Sequence, residues 1–293
     1  MATSTQWVAG ARPRTLPAAV SPVLAGCGVA VYGDDFVWWK ALLCLLVSLS
    51  LQIGVNYSND YSDGVRGTDA VGVRVGPMRL VGSGAAAPEH VKRAAIAAFG
   101  VAAGAGLVLA LATAWWLVLV GAAALTAAWF YTGGARPYGY RGLGEISVFV
   151  FFGLVAVIGT AYVQVERVAD GVGWVASGVG LLAVAILVAN NLRDLPTDAA
   201  AGKRTLAVRL GDPATRLLFT GTHVGAYVCA GVAAVLVDPW LLLAAAALPL
   251  STRSVLRVAR GAAGPTLIPV LKETGLTELV YAVAILAGYA IAA

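Results

Sequence analysis

Two polar strings decide how this chain is read: Asn56-Tyr57-Ser58-Asn59-Asp60-Tyr61-Ser62-Asp63 and Asn190-Asn191-Leu192-Arg193-Asp194-Leu195-Pro196-Thr197-Asp198. Each opens with Asn-x-x-x-Asp, and each sits where a long apolar run ends. Carboxylates at the mouth of a membrane helix are costly to keep unless they pair or bind something. On a helix, Asn56, Asp60 and Asp63 fall at i, i+4 and i+7, which is one face. Asn190, Asp194 and Asp198 fall at i, i+4 and i+8, also close to one face. Pro196 disfavours helix at Leu195, so Asp198 is expected on a loop just past the helix end.

The rest of the chain sets these strings in a membrane. It has 293 residues, 59% hydrophobic and only 12% charged, with a mean hydropathy of +0.82. A soluble domain carries about 25% charged residues, so the fold class is an all-α polytopic membrane protein. The 35 glycines suit helices packed closely through small residues. Runs long enough to span a bilayer, about 20 residues, fall near 15–33, 37–58, 93–112, 114–132, 145–165, 173–192, 216–237, 239–258 and 274–292. These nine make one transmembrane domain covering residues 1–293.

Nine spans divide the connecting segments into two sets. Of the 20 Lys and Arg, 18 fall in one set, and only Lys40 and Arg167 in the other. The positive-inside rule then places the N-terminus and both polar strings on the cytoplasmic side and the C-terminus outside. The basic residues are spread through short loops, which fits membrane topology and not nucleic acid. Cys27, Cys44 and Cys229 lie singly in apolar runs, so neither a zinc site nor a disulfide framework is indicated.

Four aspartates and two amides gathered at one place would repel and take up protons unless a cation joined them. Mg²⁺ takes oxygen ligands and binds through one or two carboxylates plus substrate phosphates. Asp60, Asp63, Asp194 and Asp198, helped by Asn56 and Asn190, are therefore candidates to hold Mg²⁺ on a diphosphate. Arg66, Arg136, Arg193, Lys203 and Arg204 are candidates to offset the diphosphate charge. A lone Asp at a helix end is more simply a cap or a solvated loop residue, but two matching strings on one membrane face argue against that reading. Arg14 is either a carboxylate or phosphate fork or a positive-inside anchor. Tyr61, Tyr131 and Tyr138 either shield a cation with their ring faces or anchor the membrane boundary. Glu145 suits the first turn of a helix or serves as a base in the pocket. His90 and His223 have no partner in sequence and read as structural.

These residues resemble the signature of the UbiA superfamily of intramembrane aromatic prenyltransferases. Further strings extend the likeness to the branch that accepts 1,4-dihydroxy-2-naphthoate: Ala11-Arg12-Pro13-Arg14-Thr15-Leu16-Pro17, Asn59 to Asp69, Tyr131-Thr132-Gly133-Gly134, Arg136-Pro137-Tyr138-Gly139-Tyr140-Arg141-Gly142-Leu143-Gly144-Glu145, and Gly202-Lys203-Arg204-Thr205-Leu206-Ala207-Val208-Arg209-Leu210-Gly211. They run from residue 11 to 211; the last three spans match in hydropathy only. In many superfamily members the third aspartate of the first motif follows four residues after the second. Here position 67 is Gly and the next acid is Asp69, a secondary metal candidate. The resemblance implies a nine-helix bundle with a cytoplasmic-facing active site and a lateral opening to lipid. It implies Mg²⁺ as cofactor, and polyprenyl diphosphate and 1,4-dihydroxy-2-naphthoate as substrates. The expected products are demethylmenaquinol, CO2 and diphosphate, made in the bacterial plasma membrane for menaquinone synthesis. Other acceptors, such as 4-hydroxybenzoate, remain open, as does a cation-coupled transporter. Transporter sites, however, tend to lie at the bilayer midplane in broken helices.

Overall fold

The computed structural model describes residues 2–67 and 79–293. Asp69 lies outside the described residues. Apart from the short 3₁₀ turns Pro13–Thr15 and Tyr138–Arg141, the described chain is helical in ten pieces. α1 is Ser4–Gly10, α2 Pro17–Tyr32, α3 Trp38–Val65, α4 Pro88–Ala112 and α5 Leu117–Phe130. α6 is Gly144–Val165, α7 Val172–Ala200, α8 Leu206–Leu236, α9 Pro239–Ala259 and α10 Gly264–Ala292. Among the described residues, seven of these are long and apolar enough to cross a membrane. The count reaches eight if the bent pair Ser4–Thr15 and Pro17–Tyr32, angled by 49°, makes one span. The run expected at 114–132 is the 14-residue α5, roughly 21 Å long at 1.5 Å per residue and so shorter than a hydrocarbon core of about 30 Å.

Apolar residues from α2, α6, α7, α8, α9 and α10 meet in one core that includes Val29, Val157, Val179, Leu182, Leu241 and Ile285. Small residues set the spacing. A Cβ added to Gly153 of α6 would lie 2.7 Å from the Cα of Gly180 on α7. The two backbones therefore touch, and only glycine fits at that crossing. The middle of α6, Phe149–Ile158, is wound as a π-helix, a form frequently found at functional sites. Here Phe151, Phe152, Val155 and Ala156 from that segment wall an internal cavity.

Both polar strings are helical, and neither lies in a loop. α3 runs on past the apolar stretch to Val65, and α7 continues through Pro196 to Ala200. The expectation that Pro196 would end the helix and leave Asp198 on a loop is therefore corrected. Proline removes one N–H and crowds the carbonyl four residues back. Pro196 lies on the exposed side, close to the helix end. Thr197 Oγ1 donates to Asp194 O at 2.8 Å across the same turn, so the local loss is one bond and the helix survives it. At the opposite end of the bundle, Lys40 donates to Val163 O at 2.7 Å and pairs with Glu166 at 3.3 Å. Arg167 faces Asp35 there.

Candidate active site

The long helices line a partly open cavity of about 780 Å³. One end is polar and the body is apolar. α3 contributes Asn56, Asn59 and Asp63 to the polar end, and α7 contributes Asn190, Asn191, Arg193, Asp194 and Asp198. Further along the same two helices the wall turns to Val47, Leu51, Ala183 and Leu187. α5 forms another side through Val120 and Ala124 and buries none of its own residues. It is thus a thin partition.

Asp63 is the hub on the α3 side. It is 4% exposed and accepts a short hydrogen bond from Tyr140 Oη. Lys203 Nζ stands 3.5 Å from its Oδ2, and Arg79 Nη2 stands 3.8 Å away. Lys203 also lies over the Tyr140 ring, 4.6 Å from its centroid. Two segments are tied together to make this cluster, because Arg204 N donates to Tyr140 O at 3.0 Å. That bond fixes the 138–141 turn against the segment following α7. On the α7 side, Arg193 grips Asp194 with a two-pronged bond, Nε to Oδ1 at 2.7 Å and Nη2 to Oδ2 at 2.6 Å. Its Nη2 also donates to Asn190 Oδ1 at 2.7 Å. Charge-assisted paired bonds of this kind fix orientation as well as adding energy.

Asp60 lies elsewhere. Its two oxygens accept from the backbone N–H groups of Leu80 and Val81, at 2.8 and 2.9 Å, and it does not line the cavity. Leu80 is fully buried against Trp7, Tyr57 and Tyr61, so Asp60 fastens the segment that presents Arg79 to Asp63. Asn56 lines the cavity but spends its amide nitrogen on Ala11 O and Thr15 Oγ1, tying α3 to the turn that carries Arg14.

Of the expected basic residues, Arg14, Arg193 and Lys203 line the cavity. Arg66, Arg136 and Arg204 do not; all three are exposed, and Arg66 donates to the carbonyls of Thr132 and Gly134. Tyr131 and Tyr138 both line the cavity and meet edge to face, with centroids 5.5 Å apart. Tyr138 Oη donates to Ala127 O at 2.8 Å. Burial raises the pKa of both phenols above the usual value, so both remain protonated at neutral pH. Tyr61 is not in the wall; it stacks near Trp129 and carries Lys92 over its ring.

Residue spacing did not single out Arg79, Tyr140, Asn59, Asn191 or Lys272, all of which line the cavity. Tyr140 was within reach of such a reading, as the polar tip of a Pro-Tyr-Gly-Tyr turn between two spans. Arg79 was not, because nothing local shows that its segment folds back onto Asp60.

Among the described residues, no three His, Cys, Asp or Glu side chains gather closely enough to form a metal cage of their own. The available donors are hard oxygens: Asp63 from one helix, and Asn190, Asp194 and Asp198 from another, facing a shared space. That set fits Mg²⁺, which keeps waters and completes its shell with substrate phosphates. It does not fit a thiolate or imidazole metal.

Residues 19–265 match the model of the UbiA prenyltransferase family. The 1,4-dihydroxy-2-naphthoate octaprenyltransferase of Mycobacterium tuberculosis is 55% identical over 286 residues, 97% of each chain. The enzyme of the same description from Escherichia coli is 39% identical, covering 76% of this chain and 74% of its own. Among solved structures, a UbiA homolog from Aeropyrum pernix K1 aligns with a TM-score of 0.69 at 16% identity, covering 94% of this chain and 97% of that one. A homolog from Archaeoglobus fulgidus, bound to DMAPP and Mg²⁺, aligns at 0.68 and 15%, covering 98% and 99%. Those two likenesses show a shared all-helical fold. The chain belongs to the UbiA prenyltransferase family.

Proposed function

We infer that this protein transfers a polyprenyl group from polyprenyl diphosphate to 1,4-dihydroxy-2-naphthoate, releasing diphosphate and CO2 and giving demethylmenaquinol. The observation that carries this reading is full-length identity of 55% to an enzyme described by that reaction. The cavity supports it with a charged end for a diphosphate and an apolar body for an isoprenoid tail. The bland reading, helix-end acids that only cap or solvate, does not suit Asp63 and Asp194, which are 4% and 5% exposed and face an internal space.

The residues divide the work by chemistry. Asp63, Asp194 and Asp198, with Asn190, are the side chains we assign to Mg²⁺. When bound, the metal supplies charge that steadies the departing diphosphate. Arg14, Arg79, Lys203 and Lys272 line the same end and supply positive charge toward the diphosphate oxygens. In the present arrangement Lys203 and Arg79 offset Asp63, and Arg193 offsets Asp194. Each carboxylate is thus held in position while its charge is compensated. Once the C–O bond to diphosphate breaks, the allylic cation must be kept from water. Phe151, Phe152 and Val155 exclude water along the tail. The ring faces of Tyr131 and Tyr138 stabilise the cation, and their phenols stay neutral. The electron-rich naphthoate ring then attacks, and loss of CO2 from the attacked carbon restores its aromaticity.

Orientation follows from charge. The polar end of the cavity lies with the basic-rich loops, so we place it and the N-terminus at the cytoplasmic face of a bacterial plasma membrane. The nine-span reading counts the bent N-terminal pair and the short α5 as spans. The test is to incubate membranes carrying the protein with labelled prenyl diphosphate and either acceptor. Lipid-soluble product is expected from 1,4-dihydroxy-2-naphthoate. Product from 4-hydroxybenzoate alone would overturn the acceptor assignment.

A further inference from the structure

Glu145 sits in the first turn of α6 but does not serve as a solvated helix-end acid. It is 6% exposed and turns toward α7, where its Oε1 accepts from Asn191 Nδ2 at 2.9 Å. Its Oε2 is buried without a hydrogen-bond partner among the described residues. A favourable helix-dipole interaction is available to an exposed first-turn acid and does not require burying an oxygen without a partner, which is costly.

The pairing fixes which way the Asn191 amide faces. Glu145 Oε1 accepts from the amide nitrogen, so the nitrogen points at Glu145. The amide oxygen, Oδ1, is then the atom left for other partners. Asn191 lines the cavity, and its Oδ1 has no hydrogen bond to any described residue. Along α7 the cavity wall is apolar through Ala183, Ile186 and Leu187 and turns polar at Asn190 and Asn191. Asn191 therefore stands at the junction between the tail region and the diphosphate end, where bond formation has to occur.

We propose that Asn191 Oδ1 accepts a hydrogen bond from a phenolic hydroxyl of the acceptor ring, and that Glu145 is the positioning residue that holds the amide in that orientation. The inference rests on the aromatic-acceptor reading above and adds a selection rule to it. A wall that presents an acceptor at this point binds a ring hydroxyl. It rejects an ether, or the quinone form of the same ring, because neither can donate. Sites built to bond a hydroxyl discriminate strongly against analogues that lack it.

The test compares kcat/KM for the dihydroxynaphthoate with that for each of its mono-methyl ethers, in membranes carrying the full chain. The wild-type protein is expected to favour the dihydroxy acceptor over one of the ethers by about tenfold or more. In Glu145→Gln, the new side-chain amide can donate to Asn191 Oδ1 and turn the nitrogen toward the cavity. That preference should then shrink to about threefold or less, while KM for prenyl diphosphate stays unchanged. Adding Asn191→Asp to Glu145→Gln restores an acceptor facing the cavity and should restore the preference. If Glu145→Gln does not fold, Asn191→Leu is read instead, and loss of the preference is again expected. An unchanged preference in either single variant, no preference in the wild type, or failure of the double variant to restore it would overturn the proposal. Absence of any product from the dihydroxynaphthoate with wild-type protein would instead overturn the functional reading beneath it.

Discussion

At the scale of single residues, the two acidic strings hold different jobs that their similar spelling conceals. Asp63 and Asp194 each face the cavity and each carry a paired cation. Asp63→Asn and Asp194→Asn remove a charged oxygen from that space. Both variants are expected to lose about 100-fold or more in turnover, on the scale seen when one electrostatic stabiliser is removed, while still binding in the membrane with an unchanged helical spectrum. Turnover within about threefold of wild type in both would contradict the roles assigned to them. Asp60 is expected to behave otherwise. Asp60→Ala leaves the N–H groups of Leu80 and Val81 without acceptors, at about 1–3 kcal/mol. Its signature is a lowered melting temperature together with reduced activity, because Arg79 is no longer held at Asp63. Wild-type thermal stability in that variant would contradict the fastening role.

At the scale of elements, the period of the sequence showed that Asn56, Asp60 and Asp63 share one face of a helix, and α3 carries them so. It could not show that Asp60 would be met by backbone N–H groups about 20 residues later, since that contact depends on how Leu80 packs among Trp7, Tyr57 and Tyr61. Pro196 misled in the other direction. Proline preferences describe an average backbone, and near the end of a 29-residue helix one lost bond is outweighed by the turns already formed. The glycines were legible as a sign of close packing, but not the pairs they form. Gly153 and Gly180 are such a pair, and Gly153→Ala would force a Cβ to 2.7 Å from backbone that no side-chain rotation can move. Overpacking costs about 1–3 kcal/mol. A lowered unfolding temperature in detergent is expected, with activity reduced because α6 and α7 wall the cavity together. An unchanged unfolding temperature would contradict the tight crossing.

At the scale of the whole molecule, hydropathy was enough to read a helical membrane bundle, and the charge asymmetry is the ground on which we propose its faces. The span count was harder. α5 is short, and the first helix is bent into two pieces, so that neither announces itself as a full crossing. Among the described residues, the bundle forms a cavity with opposite characters at its two ends. That arrangement links departure of a charged group to protection of an apolar cation, and the central claim is that both events occur on a naphthoate whose carboxyl group is then lost. The most direct measurement uses 1,4-dihydroxy-2-naphthoate labelled in its carboxyl carbon, with prenyl diphosphate and Mg²⁺, and counts labelled CO2 against released diphosphate. The account predicts equal amounts of the two, with the label absent from the prenylated product. Release of diphosphate with the label retained in a prenylated product, or without any prenylated product, would contradict it.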